Sequence, residues 1–283
     1  MAAPGTTAAP GTMTAPGTMT APGTMTAMGT PRHPYLDAPT PLAFAHRGGA
    51  AVGDENTAAA FARAVELGYR YIETDTHATA DGVPVIFHDP TLDRMLGRPG
   101  RVRDVRWADL AAVRVGGAVV VPRLEEVLDA WPQVRFNVDV KSDQAVEPTL
   151  GAVRRTGAGR RVLLASFSSR RLARMRTAMG PAVASSLGSR EVARLWTAAR
   201  LGGRVRVPAG VVAAQVPARQ ARLRVVTRRF VDHAHRLGLH VHVWTVDEPV
   251  EMNEFLDLGV DGIMTDRIEV LREVYTARGL WAA

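Results

Sequence analysis

Downstream of residue 40 the chain alternates short apolar runs with longer stretches in which apolar positions recur every three or four residues. The runs 42–46, 70–76, 134–140, 161–166, 182–187, 211–216, 239–245 and 260–265 read as strands. The stretches 57–67, 124–131, 145–156, 168–179, 190–201, 228–237, 249–258 and 267–276 read as helices. Asn56 stands where an N-cap belongs, and Gly68 follows the end of the first helix. Eight strand-then-helix units over about 250 residues make an α/β protein with the arithmetic of a (β/α)8 TIM barrel. An open doubly wound sheet is the competing arrangement. One connection is too long for a simple loop. Residues 89–123 are therefore expected to form a small insertion after strand two, with a pair of β-turns and a short helix around Trp107.

The N-terminus lacks this patterning. Ala-Pro-Gly-Thr-Met-Thr repeats at 9–14, 15–20 and 21–26, a composition too poor in large apolar residues to bury a core. Residues 1–36 are expected to be a disordered low-complexity tail and 37–283 the folded domain, with folding starting near Pro41.

Hydrophobic residues make up 46 % of the chain, enough for one large core. The absence of cysteine excludes disulfides, thiolate metal sites and a thiol nucleophile. No apolar run approaches the ~20 residues of a membrane span, and no charged segment precedes an apolar stretch at the N-terminus. A soluble cytoplasmic protein without stable membrane insertion is the expectation. The net charge of +7 invites a nucleic-acid reading, but Lys141 is the only lysine. Such arginine bias, with heavy Ala, Gly and Val usage, fits a GC-rich coding sequence better. The densest basic stretch, Arg219 to Arg229, has no interleaved aromatic, so a solvated face is expected and no nucleic acid.

In a barrel of this type the active site lies at the C-terminal strand ends. The polar chemistry collects there. Strand one runs into His46-Arg47-Gly48, strand two into Glu73-Thr74-Asp75, strand three into Asp139-Val140-Lys141, strand seven into Trp244 and strand eight into Thr265-Asp266. Period-two alternation puts Glu73 with Asp75 on one inward face, and Asn137, Asp139 and Lys141 on another. Three convergent carboxylates need a cation, and an all-oxygen set suits Mg²⁺ or Ca²⁺ rather than Zn²⁺. A salt-bridge ring with Arg47 and Lys141 is the alternative. Two histidines near an arginine and a metal are the parts needed to hydrolyse a phosphate ester. His77 shares the inward face but is placed beyond the strand end. His240 and His242 are expected to be satisfied interior residues, and His233 and His235 structural ones.

The ordered series His46-Arg47-Gly48, Glu55-Asn56-Thr57, Glu73-x-Asp75, Thr79-x-Asp81-Gly82, His88-Asp89, Leu92-Asp93-Arg94, Asn137-x-Asp139-x-Lys141, Trp244-Thr245 and Gly259-Val260-Asp261-Gly262-Ile263-Met264-Thr265-Asp266 resembles the glycerophosphodiester phosphodiesterases. The resemblance spans about residues 42–266. It implies His46 and His88 as general acid and base, and Glu73, Asp75 and Asp139 as ligands of one divalent cation, with Glu55 a further candidate. It also implies that Arg47 and Lys141 contact the phosphate and that Trp244 lines the pocket. The implied reaction releases sn-glycerol 3-phosphate and an alcohol from a small glycerophosphodiester, the substrate's own hydroxyl serving as a route to a cyclic phosphate. Asp139 stands where the phosphodiesterases usually carry Glu and the related sphingomyelinase D branch carries Asp. A phospholipase D-type hydrolase acting on lysophospholipids or sphingolipids is therefore an alternative. So is a non-catalytic phosphate-binding module, whose mark would be a missing histidine or carboxylate. None is missing. The oligomeric state is not legible.

Overall fold

The computed structural model describes residues 1–2, 33–115, 118–220 and 223–281, and the unit considered below is His33–Ala283. Eight parallel strands close a barrel: β1 Leu42–His46, β2 Tyr71–Ala78, β3 Arg135–Val140, β4 Val162–Ala165, β5 Ala184–Ser186, β6 Val211–Pro217, β7 His240–Trp244 and β8 Gly262–Thr265. Each pairs with its successor, and β1 pairs with both β8 and β2, which closes the ring. Eight helices follow the strands in turn: α1 Ala58–Glu66, α2 Leu124–Ala130, α3 Val146–Arg155, α4 Ser169–Met179, α5 Ser189–Leu201, α6 Arg228–Arg236, α7 Pro249–Asp257 and α8 Ile268–Ala277. Closure excludes the open sheet. Among the described residues no helix is long and apolar enough to cross a membrane.

Alternation along the strands separates two cores. Outward-facing Ile72, Phe136, Val138, Leu164, Val241 and Ile263 pack with the apolar faces of the helices. Phe44, Tyr71, Leu163, Ala184, Ala213 and Met264 fill the barrel interior. Space there is tight: a Cβ on Gly262 would lie 2.8 Å from Phe44 and 3.0 Å from His242, so this strand needs the bare backbone.

Four sequence expectations need correction. The described fold already includes residues from His33, ahead of the expected start at residue 37. A 3₁₀ turn at Pro34–Leu36 puts Tyr35 wholly inside the barrel, where its carbonyl accepts a 2.7 Å bond from the Tyr71 hydroxyl. Three residues are too few to show a periodicity, which is why this segment read as tail. The tail itself, residues 3–32, lies outside the described residues. Secondly, β2 runs to Ala78, because a short strand at Pro84–Ile86 folds back on it antiparallel. The excursion therefore starts before residue 89, and His77 lies within the strand. Beyond it come the short helices Asp93–Leu96 and Trp107–Ala111, and a hairpin of Arg114–Val115 with Ala118–Val119, around a separate small core of Val85, Phe87, Leu92, Val102 and Leu110. Thirdly, the N-cap of α1 is Thr57, whose hydroxyl accepts from the Ala60 amide. Asn56 instead adopts a left-handed backbone (φ 60°) and turns into the site. Finally, His242 is not fully satisfied: Nδ1 lies 3.4 Å from Gln215, while buried Nε2 has no hydrogen-bond partner.

Tyr35 should matter to stability out of proportion to its place. A chain starting at Ala38 loses this buried ring at a cost of about 3 kcal/mol or more. Its melting temperature should fall by about 6 °C or more relative to a chain starting at Met28. Equal melting temperatures for the two chains would show that the 33–37 segment contributes nothing.

Candidate active site

Strand register builds the site in layers. His46 of β1 stands opposite Glu73 of β2, which stands opposite Asn137 of β3; one layer nearer the mouth, Asp75 stands opposite Asp139. All five point inward by the same alternation, and all but His46 are buried. The turn after β1 is shaped by backbone geometry. Arg47 is left-handed (φ 52°), and Gly48 follows at φ 83° with no room for a Cβ, which would sit 2.7 Å from Phe61. This is the physical content of the His-Arg-Gly triplet.

His46 is oriented by Asp266. Its Nδ1–H donates to the carboxylate over 2.7 Å, since a carboxylate can only accept, leaving Nε2 3.6 Å from Glu73. Burial lowers the His46 pKa, but the charges of Glu73 and Asp266 outweigh it and the net shift is upward. The second histidine comes from the loop after the Pro84–Ile86 strand. His88 Nδ1 bonds Asp89 at 2.6 Å, and the His77 ring nitrogen Nε2 lies 3.2 Å from the His88 carbonyl.

The acidic wall is an electrostatic problem only partly solved by protein cations. Lys141 Nζ lies 2.7 Å from Asp75 and 2.8 Å from Asp139. Arg47 reaches Asp75 at 3.3 Å, and Asn56 donates a 2.8 Å bond to the same carboxylate while accepting from Thr74. Burial would raise Asp75, but Lys141 and Arg47 prevail and hold its carboxyl below the usual range. Glu73 fares otherwise. Burial, and then the charge of Asp75, push its carboxyl up to about 7. Asp139 is also raised, by burial first. Its Oδ1 is buried without a hydrogen-bond partner, as is Asn137 Oδ1.

The structure thus brings His46, Arg47, Glu73, Asp75, His88, Asp139, Lys141 and Trp244 to the wall of one cavity of about 740 Å³. Glu55 is drawn aside by two guanidiniums, Arg47 at 3.0 Å and Arg94 at 2.7 Å. Lys141 lines the cavity with its Nζ lodged between the two aspartates. Among the described residues no three His, Asp or Glu side chains stand close enough together to enclose a metal as they lie.

Sequence reasoning missed Asp266, Asn56, His77 and Arg94 as parts of the site. Asp266 was within reach: it immediately follows β8, His46 ends β1, and Ala45 pairs with Thr265 in the parallel register. Asn56 was hidden by its resemblance to a helix cap. Arg94 carried no strand-end signal, because it sits on a short helix of the insertion. There it donates to Asp89 at 2.6 Å and to both oxygens of Glu55. It thereby holds Asp89 down to about 2.

Among the described residues the charged side chains and both histidines of the wall come from β1 to β3 and the loops beside them. The remainder of the cavity wall, from β4 to β8, bears no charged side chain among the described residues. Phe167 and Trp244 meet edge to face at 5.6 Å where the halves join, with Lys141 Nζ 5.8 Å from the centre of the Phe167 ring.

Comparison with known proteins agrees with this geometry. A profile of the Glycerophosphoryl diester phosphodiesterase family matches residues 46–270. A Mycobacterium tuberculosis protein named "Probable glycerophosphodiester phosphodiesterase 2" is 42 % identical over 244 residues, 85 % of this chain and 92 % of that one. The structure of an Agrobacterium tumefaciens glycerophosphodiester phosphodiesterase superposes with a TM-score of 0.68 at 23 % identity, over 83 % of this chain and 99 % of that one. An Oleispira antarctica phosphodiesterase, solved in complex with the product sn-glycerol-3-phosphate, gives 0.68 at 17 % identity, over 84 % and 97 %. With the family match covering most of the chain, and both histidines and all three inward carboxylates in place, the chain belongs to the glycerophosphoryl diester phosphodiesterase family and is a phosphoric diester hydrolase.

Proposed function

We propose that this protein hydrolyses glycerophosphodiesters to sn-glycerol 3-phosphate and an alcohol, with His46 and His88 as the acid–base pair and one divalent cation, Mg²⁺ or Ca²⁺, held by Glu73, Asp75 and Asp139. The observation that carries the reading is the pair of imidazoles reaching one cavity from separate elements, each with Nδ1 fixed by its own carboxylate. A carboxylate on Nδ1 fixes the tautomer and leaves Nε2 to exchange protons.

His46, whose pKa is raised, is suited to hold the proton that the departing alkoxide needs. His88 takes the proton from the attacking hydroxyl, whether the substrate's own or that of water. The bond that breaks is P–O to the leaving alcohol, and the bond that forms is P–O to the nucleophile. Where that nucleophile is the substrate's own hydroxyl, water then attacks the cyclic phosphate, the ring P–O bond breaks, and the two histidines exchange roles to give sn-glycerol 3-phosphate. Arg47, backed by Glu55 and Asp75, offers guanidinium charge to the phosphate oxygens.

The acidic wall fits a hard cation by its own chemistry. Its donors are all carboxylate oxygens, Asp139 Oδ1 is buried without a partner, and Glu73 is displaced towards its neutral form by crowding. A bound cation would neutralise phosphate charge there and relieve Lys141 of the two aspartates it now balances. Glu55, already claimed by two arginines, acts through Arg47.

The test is release of sn-glycerol 3-phosphate from glycerophosphodiesters by the full chain with Mg²⁺ or Ca²⁺. His46→Ala and His88→Ala should each lower kcat by ~10²–10⁴-fold. The double variant should fall far short of the product of the two losses, because the pair acts as a unit. Near-wild-type kcat in either single variant would sink the assignment.

Arg94 supplies a second test. It ties the carboxylate behind His88 to the carboxylate behind Arg47, so its removal loosens both without touching substrate. Arg94→Ala should lower kcat by about 10- to 100-fold through misplacement of these groups. The melting temperature should move by only about 2–4 °C, since half-exposed ion pairs contribute ~1 kcal/mol or less. Arg94→Lys should not restore turnover, because a single ammonium cannot fork across two carboxylates. Unchanged kcat in Arg94→Ala would show that the bridge is ornamental.

A further inference from the structure

We propose that Arg171 of α4 is a positioning residue of the acidic wall. It holds the peptide between Val140 and Lys141, and through that peptide it sets the side chains of Asp139 and Lys141. This rests on the cation reading proposed above and adds to it a residue that touches neither metal nor substrate.

The first observation is where strand pairing stops. β3 and β4 stay in register as far as Asp139 opposite Ala165, and β4 ends there. The next peptide of β3 is still held from the β2 side, where the Lys141 amide donates to the Thr76 carbonyl over 3.0 Å. On the β4 side two side chains meet the Val140 carbonyl. The Ser166 hydroxyl donates to it over 2.9 Å, and so does Arg171 Nη1 over 2.9 Å. Nη1 also donates to the Ser166 oxygen over 2.8 Å, which ties the two donors together. Val140 itself packs outward, while Asp139 and Lys141 on either side of it point inward.

The second observation is the guanidinium itself. The Arg171 side chain is 15 % exposed and that of Arg170 beside it 80 %, although both bond Asp143. Arg171 thereby joins the ends of β3 and β4 to the loop ahead of α3. Helix stability does not account for it. Arg171 lies in the first turn of α4, where Ser168 already caps its amide and a cation opposes the helix dipole.

The third observation is how little else steers Asp139. Its Oδ1 has no hydrogen-bond partner, and its Oδ2 is bonded by Lys141, two residues along the same strand. A shift of the Val140–Lys141 peptide moves both partners, so neither corrects the other. A ligand to a metal has to be held within about 0.5 Å of its working position. Arg171 supplies that hold from behind.

The experiment uses the full chain with two readouts, hydrogen exchange at the Lys141 amide in metal-free buffer and calorimetric binding of Mg²⁺ or Ca²⁺. In Arg171→Gln the amide should exchange about tenfold faster or more. The cation should bind about 10- to 100-fold more weakly. Arg171→Lys keeps the charge but not the fork, and should stay about tenfold or more below wild type in affinity. Arg170→Gln loses the same charge and the same Asp143 contact without touching Val140, and should leave both readouts within about twofold. If Arg171→Gln does not fold, Ser166→Ala removes the other donor to the same carbonyl and should speed exchange by about two- to tenfold.

Unchanged exchange at Lys141 in these Arg171 and Ser166 variants overturns the proposal, as does faster exchange with undiminished cation affinity. Equal losses in Arg170→Gln and Arg171→Gln, or full affinity in Arg171→Lys, overturn it too, because the effect is then one of charge alone. A wild type that binds neither ion refutes the cation reading, and kcat on a glycerophosphodiester then replaces affinity as the second readout. A fall in kcat of about tenfold or more in Arg171→Gln, with faster exchange, sustains the positioning role in that case. Unchanged kcat overturns it.

Discussion

The crowding of three carboxylates against one barrel wall is the constraint on which the rest of the structure turns. Parallel pairing places Glu73, Asp75 and Asp139 within two adjacent layers, and all are buried. Buried like charges cannot all persist without compensation. The fold answers with an ammonium inserted between the aspartates, a guanidinium above them, an amide from Asn56 and a glutamate displaced to about 7. The local oddities follow from that. Arg47 is held in a left-handed turn, Gly48 is needed behind it, and Asn56 gives up the helix cap to serve the acid. These strained positions persist because the packing around them leaves no alternative.

Much of this was legible in the sequence because the information was local and periodic. All eight barrel strands and all eight large helices fall at the expected positions to within two residues. The inward face of β2 and β3 followed from alternation alone. What failed was information of other kinds. Tyr35 was invisible because one aromatic in a three-residue turn has no period. The extension of β2 to Ala78 depended on its antiparallel partner at Pro84–Ile86, a tertiary effect. Asn56 looked like a cap because the side chain that caps and the one that binds an acid are the same. The bridging of Asp89 and Glu55 by Arg94 joins residues up to 39 positions apart and leaves no trace in any spacing.

Function is distributed over the mouth in the same way as the charges. One half carries the two histidines, Arg47 and the inward carboxylates, held from behind by Asp266, Asp89 and Arg94. Among the described residues the other half presents only apolar and uncharged polar side chains. In the proposed reaction such a division leaves the loops after β4 to β6 to set what is bound while β1 to β3 and the His88 loop keep the chemistry, which is how one barrel fold supports several substrates.

The central claim, that the acidic wall is built for a cation, is tested most directly by titrating Mg²⁺ or Ca²⁺ into the protein at pH 7 in two buffers of different ionisation enthalpy. Metal must displace the proton that Glu73, pushed up to about 7, partly retains. Binding should therefore be accompanied by release of a fraction of a proton, and Glu73→Gln should abolish that release. Binding of neither ion, or binding with the same heat in both buffers, would contradict the account.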